Sequence, residues 1–243
     1  MNLLAGKKII VIGGTTGIGL SAAREFVNEG AKVVIVGRNK ENVATAKAEL
    51  NESAEAIVAD ATSPGTAAHA IDICIEKFGG FDGLYHVAGG SGRKMGDGPL
   101  HELSLDGWNK TLELKKGGTI LNMGSVLGYS PSPQYFSTHA YAAAKSAIVG
   151  FSKAIAAYYA KDNIRVNVIA PALVETPMAQ RAANDENILS FIKTKQPLDG
   201  GRIGKAEDLD GLAVYFMSDH SKFTTGQVVA VDGGWSISEG QLS

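Results

Sequence analysis

The sequence predicts an α/β fold in which a parallel sheet is covered by helices on both faces. Short β-branched runs alternate with longer segments of helical period, the order of elements that builds βαβ units. Most of those runs are continuously apolar, as strands buried on both faces are. No internal repeat, low-complexity tract or Pro/Ser-rich linker interrupts the 243 residues, so one domain spanning 1–243 is expected.

Seven runs read as strands: residues 7–12, 32–36, 56–59, 83–87, 119–123, 165–169 and 227–231. Five segments of helical period lie between them, at 17–29, 40–51, 64–78, 140–160 and 206–217. Two stretches depart from this alternation. Residues 89–98 hold five glycines and follow the fourth strand, at the sheet edge where open α/β folds bind ligands. Residues 174–201 follow the sixth strand at the same edge, and with Pro177, Pro197 and a weakly amphipathic middle they read as a substrate loop, a candidate cover over a bound molecule.

Composition narrows the function classes. Hydrophobic residues make up 44% and charged residues 20%, as in ordinary globular proteins, which sets aside disordered and fibrous classes. A net charge of -2 supplies no basic field for nucleic acid or anionic lipid, so small molecules are the expected partners. The one cysteine, Cys74, has no partner for an internal disulfide or a thiolate metal site. The five histidines, His69, His86, His101, His139 and His220, lack metal-ligand spacing, so no metal is expected. The N-terminus carries no signal-peptide stretch, and no window reaches about 18 consecutive apolar residues, which places the chain in the cytoplasm and off the membrane.

The first chemical signal is Gly13-Gly14-Thr15-Thr16-Gly17-Ile18-Gly19, set between the first strand and the first helix. Glycines let the backbone turn sharply and approach a pyrophosphate, whose charge the free N–H groups at a helix start stabilise. Such a loop can also serve only as a connection; the strand-loop-helix context favours a dinucleotide. At the end of the second strand, where an acidic residue would bind a ribose 2′-hydroxyl, stands Gly37-Arg38. An arginine there suits a 2′-phosphate, so NADP is favoured and NAD remains an alternative.

The second signal is Ser125 followed by Tyr141-Ala142-Ala143-Ala144-Lys145 at the start of a long helix. The i,i+4 spacing stacks Tyr141 and Lys145 on one helix face. An ammonium beside a phenol, together with an oxidised nicotinamide, is expected to lower the phenol's pKa and make Tyr141 a general acid in reduction and a general base in oxidation. Ser125, just past the fifth strand, is placed to hydrogen-bond a reacting carbonyl oxygen. A Tyr-x-x-x-Lys pair alone is common on amphipathic helices; position gives this one its value. No Gly-x-Ser-x-Gly elbow surrounds Ser125, which argues against a hydrolase.

Over nearly its whole length the chain resembles the short-chain dehydrogenase/reductase family. The family's Thr-Gly-x-x-x-Gly-x-Gly motif is matched over 12–19, with Ile12 in place of threonine. Asp60, followed by Ala61, is similar to the adenine-contacting aspartate after the third strand, and His86-Val87-Ala88-Gly89 keeps the second half of the Asn-Asn-Ala-Gly turn. Ser125, Tyr141 and Lys145 match the catalytic elements, although the serine-to-tyrosine interval is about three residues longer than usual. Pro171-Ala172-Leu173-Val174, followed by Thr176, resembles the turn that reaches the nicotinamide, and Thr225-Gly226 with Asp232-Gly233-Gly234 resembles the closing strand. The resemblance implies a Rossmann-type, doubly wound sheet of order 3-2-1-4-5-6-7. It implies cofactor contacts from Gly13, Thr15, Thr16, Gly17, Ile18, Gly19, Arg38, Asp60, Ala61, Ala88, Gly89, Tyr141, Lys145, Pro171, Val174 and Thr176, with Lys145 on the nicotinamide ribose.

One stretch departs from the family. Trp108-Asn109-Lys110-Thr111-Leu112-Glu113-Leu114 resembles the opening of the helix between the fourth and fifth strands, but Lys115-Lys116-Gly117-Gly118 then runs straight into the strand. Some 20 residues or more are missing by this reading, on the order of a whole crossover helix, yet a parallel crossover needs only about a dozen, so the topology survives. Lys115 stands where the family has its catalytic asparagine, and Asn109 and Asn122 are wrongly placed to replace it. The expectation is an oxidoreductase acting on a small carbonyl or alcohol, with weakened turnover and a homo-oligomer of altered interface. The alternative is a nicotinamide dinucleotide-binding protein with little or no chemistry, a sensor, scaffold or shortened variant.

Overall fold

The computed structural model describes residues 2–88, 117–136 and 138–241. Seven parallel strands form one sheet: β1 (Lys8–Ile12), β2 (Lys32–Gly37), β3 (Ala54–Val58), β4 (Gly83–His86), β5 (Gly118–Met123), β6 (Ile164–Pro171) and β7 (Val228–Val231). Their order is β3-β2-β1-β4-β5-β6-β7, the doubly wound order implied above. Every pairing is parallel, and the register Ile12↔Val36 and Ile12↔His86 aligns the carboxyl ends of β1, β2 and β4.

The helices are α1 (Gly17–Asn28), α2 (Lys40–Leu50), α3 (Thr66–Phe78), α4 (His139–Tyr159), α5 (Gln180–Ala183), α6 (Glu186–Lys195) and α7 (Asp210–Met217). One face of the sheet buries Ile9, Val11, Val33 and Ile35 under Phe26 of α1, Ala46 of α2 and Phe216 of α7. On the other face, Ile10, Ile12, Val34 and Val36 pack against Ile71 and Cys74 of α3, while Ile120 and Val166 pack against Ile155 of α4. Side chains alternate between these layers because successive strand residues point to opposite faces. That is why β1 and β2 are apolar at almost every position.

Boundaries moved where backbone geometry overrode pattern. Asn51 at φ +53 ends α2 and, through the turn Asn51–Ser53, delivers the chain into β3 two residues before the apolar run at 56–59 begins. Gly65 at φ +88 delays α3 to Thr66. The helix expected over 206–217 starts as a 3-10 turn, Ala206–Leu209, before α7. Within 174–201, read as a loop, the chain forms α5 and α6. The Asp185 carboxylate caps α6 by accepting from the amides of Asn187 (3.0 Å) and Ile188 (3.3 Å), and Ile188, Phe191 and Ile192 form its buried face.

Candidate active site

The carboxyl ends of the strands gather the predicted residues at one edge of the sheet. Leaving β1, the chain turns at Gly13, whose φ of +85 favours glycine, and the amides of Gly13 and Gly14 both donate to Val36 O (2.9 and 3.2 Å). A Cβ on Gly13 would sit 2.8 Å from Ala88 N, so the glycine is what lets the turn after β4 press against this loop. A Cβ on Gly19 would lie only 2.1 Å from Gly13 O, so its absence lets α1 start directly beneath the loop. Gly17, at φ +52, faces Thr176, whose Cγ2 would be 3.5 Å from a Cβ there. The loop after β1 therefore meets both the turn after β4 and the segment after β6.

At the head of α1, Thr16 occupies the capping position with extended backbone, but neither its side chain nor a first-turn carboxylate satisfies the leading amides. A helix start in this state attracts an anion. Thr15, buried, packs against Gly37, where any Cβ would fall within 2.6 Å of the threonine methyl. Ile18 leans on the core beside α1. Past Gly37, the Arg38 guanidinium stands 3.5 Å from Asp60 and is 71% exposed. The Asp60 carboxylate is held below its ordinary range by the Thr62 amide and hydroxyl, at 2.9 and 2.8 Å, and by Arg38. Ala61, half-buried, continues this rim. A glycine cradle with a helix start left uncapped by side chains at one end and an exposed cation at the other fits a dinucleotide.

The second cluster forms where β5, α4 and the end of β6 converge. Lys145, buried on α4, donates to Met123 O at 2.7 Å, and its Nζ lies 5.6 Å from the centre of the Tyr141 ring. Burial brings the Lys145 ammonium down to about 8. The Tyr141 phenol is pushed up, not down: burial is the largest cause, and the hydrogen-bonding Ser125 hydroxyl only offsets it. The expected lowering by Lys145 is not seen in the chain by itself, because the ammonium is aimed at Met123 O and the phenol is desolvated. Buried Ser125 accepts from Leu127 N (3.2 Å) and donates to Pro171 O (3.4 Å), which ties the cluster to the turn carrying Val174 and Thr176.

His86, at the end of β4, is pushed down to about 4 by desolvation and then by the Lys145 charge, so it is neutral at physiological pH. Asn122 donates to Ser152 Oγ (2.9 Å) on α4, a structural bond that keeps it from the cluster. Among the described residues no group of three or more His, Cys, Asp or Glu could hold a metal, and no helix is long and apolar enough to cross a membrane. Gly89, His101, Trp108, Asn109 and Lys115, and with them the expected shortening of the crossover, lie outside the described residues. Sequence reasoning passed over Gln196, a buried amide with no motif to mark it.

Comparison with known proteins places this geometry among oxidoreductases. The family model described as enoyl-(acyl carrier protein) reductase matches residues 13–236. The chain is 32% identical over 252 residues to momilactone A synthase of Oryza sativa subsp. japonica, covering 96% of this chain and 91% of that protein. It is 33% identical over 257 residues to the 2,5-dichloro-2,5-cyclohexadiene-1,4-diol dehydrogenase LinX of Sphingobium indicum, covering 97% and 98%. Among solved structures, levodione reductase superposes with a TM-score of 0.81 at 26% identity, covering 96% of this chain and 98% of that one. A 3-ketoacyl-(acyl-carrier-protein) reductase from Brucella melitensis complexed with NADH superposes with a TM-score of 0.77 at 27% identity, covering 96% and 100%.

Proposed function

Because the chain belongs to the short-chain dehydrogenase/reductase family, we propose that it is an oxidoreductase moving a hydride between NADP and a small carbonyl or secondary alcohol. The observation that carries the reading is the meeting of Ser125, Tyr141 and Lys145 beside Pro171, with β4 lying between β5 and the strand β1 that leads into the glycine cradle. A bound nicotinamide supplies or accepts the hydride. The chain's own residues handle the proton. Since burial raises the Tyr141 phenol, it keeps its proton at neutral pH and can give it to a carbonyl oxygen as that oxygen gains charge. The Ser125 hydroxyl is placed to orient the same oxygen. Lys145, still protonated at pH 7, puts a positive charge behind the tyrosine and supports the phenolate that forms once the proton has left.

Gly13, Thr15, Thr16, Gly17, Ile18 and Gly19 would cradle the pyrophosphate, and Asp60, Ala61 and Ala88 would line the adenine side, with Gly89 carried over from the family motif. Pro171, Val174 and Thr176 would reach the nicotinamide, with Tyr141 and Lys145 beside its ribose. The choice of NADP rests on Arg38, exposed and 3.5 Å from Asp60. NADH in the Brucella relative leaves NAD as the competing cofactor. A single domain in the cytoplasm, with fully exposed Phe223 and Ile237 supporting a homo-oligomer, completes the reading.

The test is a fluorescence titration of NADPH and NADH against wild type and Arg38→Ala, paired with NADPH oxidation over a ketone and aldehyde panel using Tyr141→Phe as control. Arg38→Ala should weaken NADPH about tenfold and leave NADH within about twofold, the size of one lost charge-assisted contact. Tyr141→Phe should lower turnover by about 10²–10⁴. An unchanged NADPH/NADH ratio removes the NADP assignment, and binding without any turnover favours a binding protein over an enzyme.

A further inference from the structure

Past Pro171 the strand β6 runs out of neighbours: its last registered partners are Met123, opposite Ile169, and Val231, opposite Pro171. The peptide groups of Leu173, half-buried, still need partners. The amide of Leu173 donates to Gln196 Oε1 at 3.0 Å, and Gln196 Nε2 donates back to Leu173 O at 3.3 Å. One side chain thus does what an adjacent strand would do. A carboxamide carries a donor and an acceptor side by side, and this pairing fixes which end is oxygen and which is nitrogen.

Gln196 is itself held from three directions. Its side chain is enclosed, with 2% of the residue exposed. Its own amide donates to Ile192 O (2.7 Å), anchoring it to the end of α6. Gly233 comes so close that a Cβ there would lie 3.2 Å from Gln196 Cβ, so the closing segment after β7 backs it. Leu173 O also accepts from Gly204 N (3.0 Å), and Glu175 N donates to Gly204 O (2.8 Å), so 173–175 run between Gln196 and Gly204. Three residues beyond Leu173, Thr176 faces Gly17 of the cradle; two residues before it, Pro171 O takes the Ser125 hydroxyl.

We infer that Gln196 is a positioning residue for the nicotinamide end of the site: its two hydrogen bonds to Leu173 set the path from Pro171 to Thr176. This rests on the dinucleotide reading above. It touches neither reactant and acts through the backbone it holds. Because α6 carries it, the same amide couples the substrate segment to the cofactor turn.

The experiment measures NADPH and 2′-phospho-ADP binding to wild type, Gln196→Glu and Gln196→Met between pH 5.5 and 8.5. At pH 8.5 the carboxylate that Gln196→Glu introduces is ionised, has no donor and repels Leu173 O, so NADPH should weaken about tenfold. Buried against a carbonyl, that carboxyl titrates above its ordinary range and, once protonated, regains a donor. NADPH affinity should then return to within about threefold of wild type at pH 5.5. Gln196→Met, matched in volume but without donor or acceptor, should show the same tenfold loss at every pH. The adenosine fragment, which does not reach this turn, should bind all three proteins within about twofold. Equal weakening of fragment and dinucleotide, or wild-type NADPH affinity in either variant at pH 8.5, overturns the inference. Failure of wild type itself to bind NADPH overturns the functional reading, and the inference falls with it.

Discussion

Asp210 is the residue that the fold treats least kindly. It opens α7 against α1, where Ser21 Oγ donates to its Oδ2 at 2.6 Å, but its Oδ1 meets no hydrogen-bond partner among the described residues. Burial raises the carboxyl to about 6, with Glu207 and Glu25 pushing the same way and Arg24 and the Ser21 bond opposing. The Tyr85 hydroxyl, also buried and without a hydrogen-bond partner among the described residues, is pushed up by its own desolvation and by this carboxylate. A carboxyl whose pKa is higher folded than unfolded adds stability that is complete below its unfolded value of 3.8 and lost as pH rises through about 6. At about 1.4 kcal/mol per unit, a rise of roughly two units makes the loss about 3 kcal/mol at most. Asp210→Asn keeps an acceptor for Ser21 and removes the charge. Urea unfolding at pH 8 should find the variant about 1–3 kcal/mol more stable than wild type, with the gap closing by pH 4. A variant less stable at pH 8 would show that the ionised form is the one the interior prefers. Of this cluster the sequence disclosed nothing: Ser21 and Asp210 are 189 positions apart, and neither belongs to a motif.

Two glycines in helices show how differently the same residue can act within an element. Gly19 lies in the first turn of α1, with a would-be Cβ 2.1 Å from the carbonyl oxygen of Gly13. Backbone cannot move aside as a flexible side chain can, so Gly19→Ala must lift α1 off the loop after β1. The expected cost is about 1–3 kcal/mol or more, with loss of NADPH binding. Gly150 sits in the middle of α4 with nothing within 4 Å of an added Cβ. There alanine improves helix propensity and restricts the unfolded chain, a gain of about 0.5–1 kcal/mol. Thermal melting should place Gly150→Ala about 1–4 °C above wild type and Gly19→Ala below it. A lowered midpoint for Gly150→Ala would mean that something covers this face of α4. The glycine motif was legible because it joins a strand to a helix. The start of β3 was not, since Asn51 at positive φ shifts the chain by a turn that apolar pattern cannot see.

Across the whole molecule, what could be read beforehand was the sheet, and what could not was the packing that crosses the sequence. β1 and β2 announce themselves because helices cover both faces and leave no polar residue past the leading lysines, and in β5 and β6 apolar residues still outnumber Thr119, Asn122, Arg165 and Asn167. Ser125, Tyr141 and Lys145 were legible for another reason: each sits at a fixed offset from a strand end or a helix start. The aromatic cluster behind them has no such marker. Trp235, buried near the C-terminus, donates from Nε1 to Ser130 O (3.0 Å), and its ring meets Phe136 at 5.5 Å and Phe191 at 6.0 Å in edge-on contacts. It thereby fastens the loop that follows Ser125 and the helix α6 to the closing segment. Trp235→Phe keeps an aromatic ring but leaves Ser130 O without its donor, at a cost of about 1–2 kcal/mol. If the cluster is one cooperative unit, hydrogen exchange should speed up together at 126–136 and 186–196, while amides of β1 and β2, packed in a separate core, keep wild-type rates. Acceleration confined to the residues around 235, or spread evenly over the sheet, would mean that Trp235 does not join these segments into one unit. In that case the substrate side and the cofactor side would communicate through Gln196 and Leu173 instead.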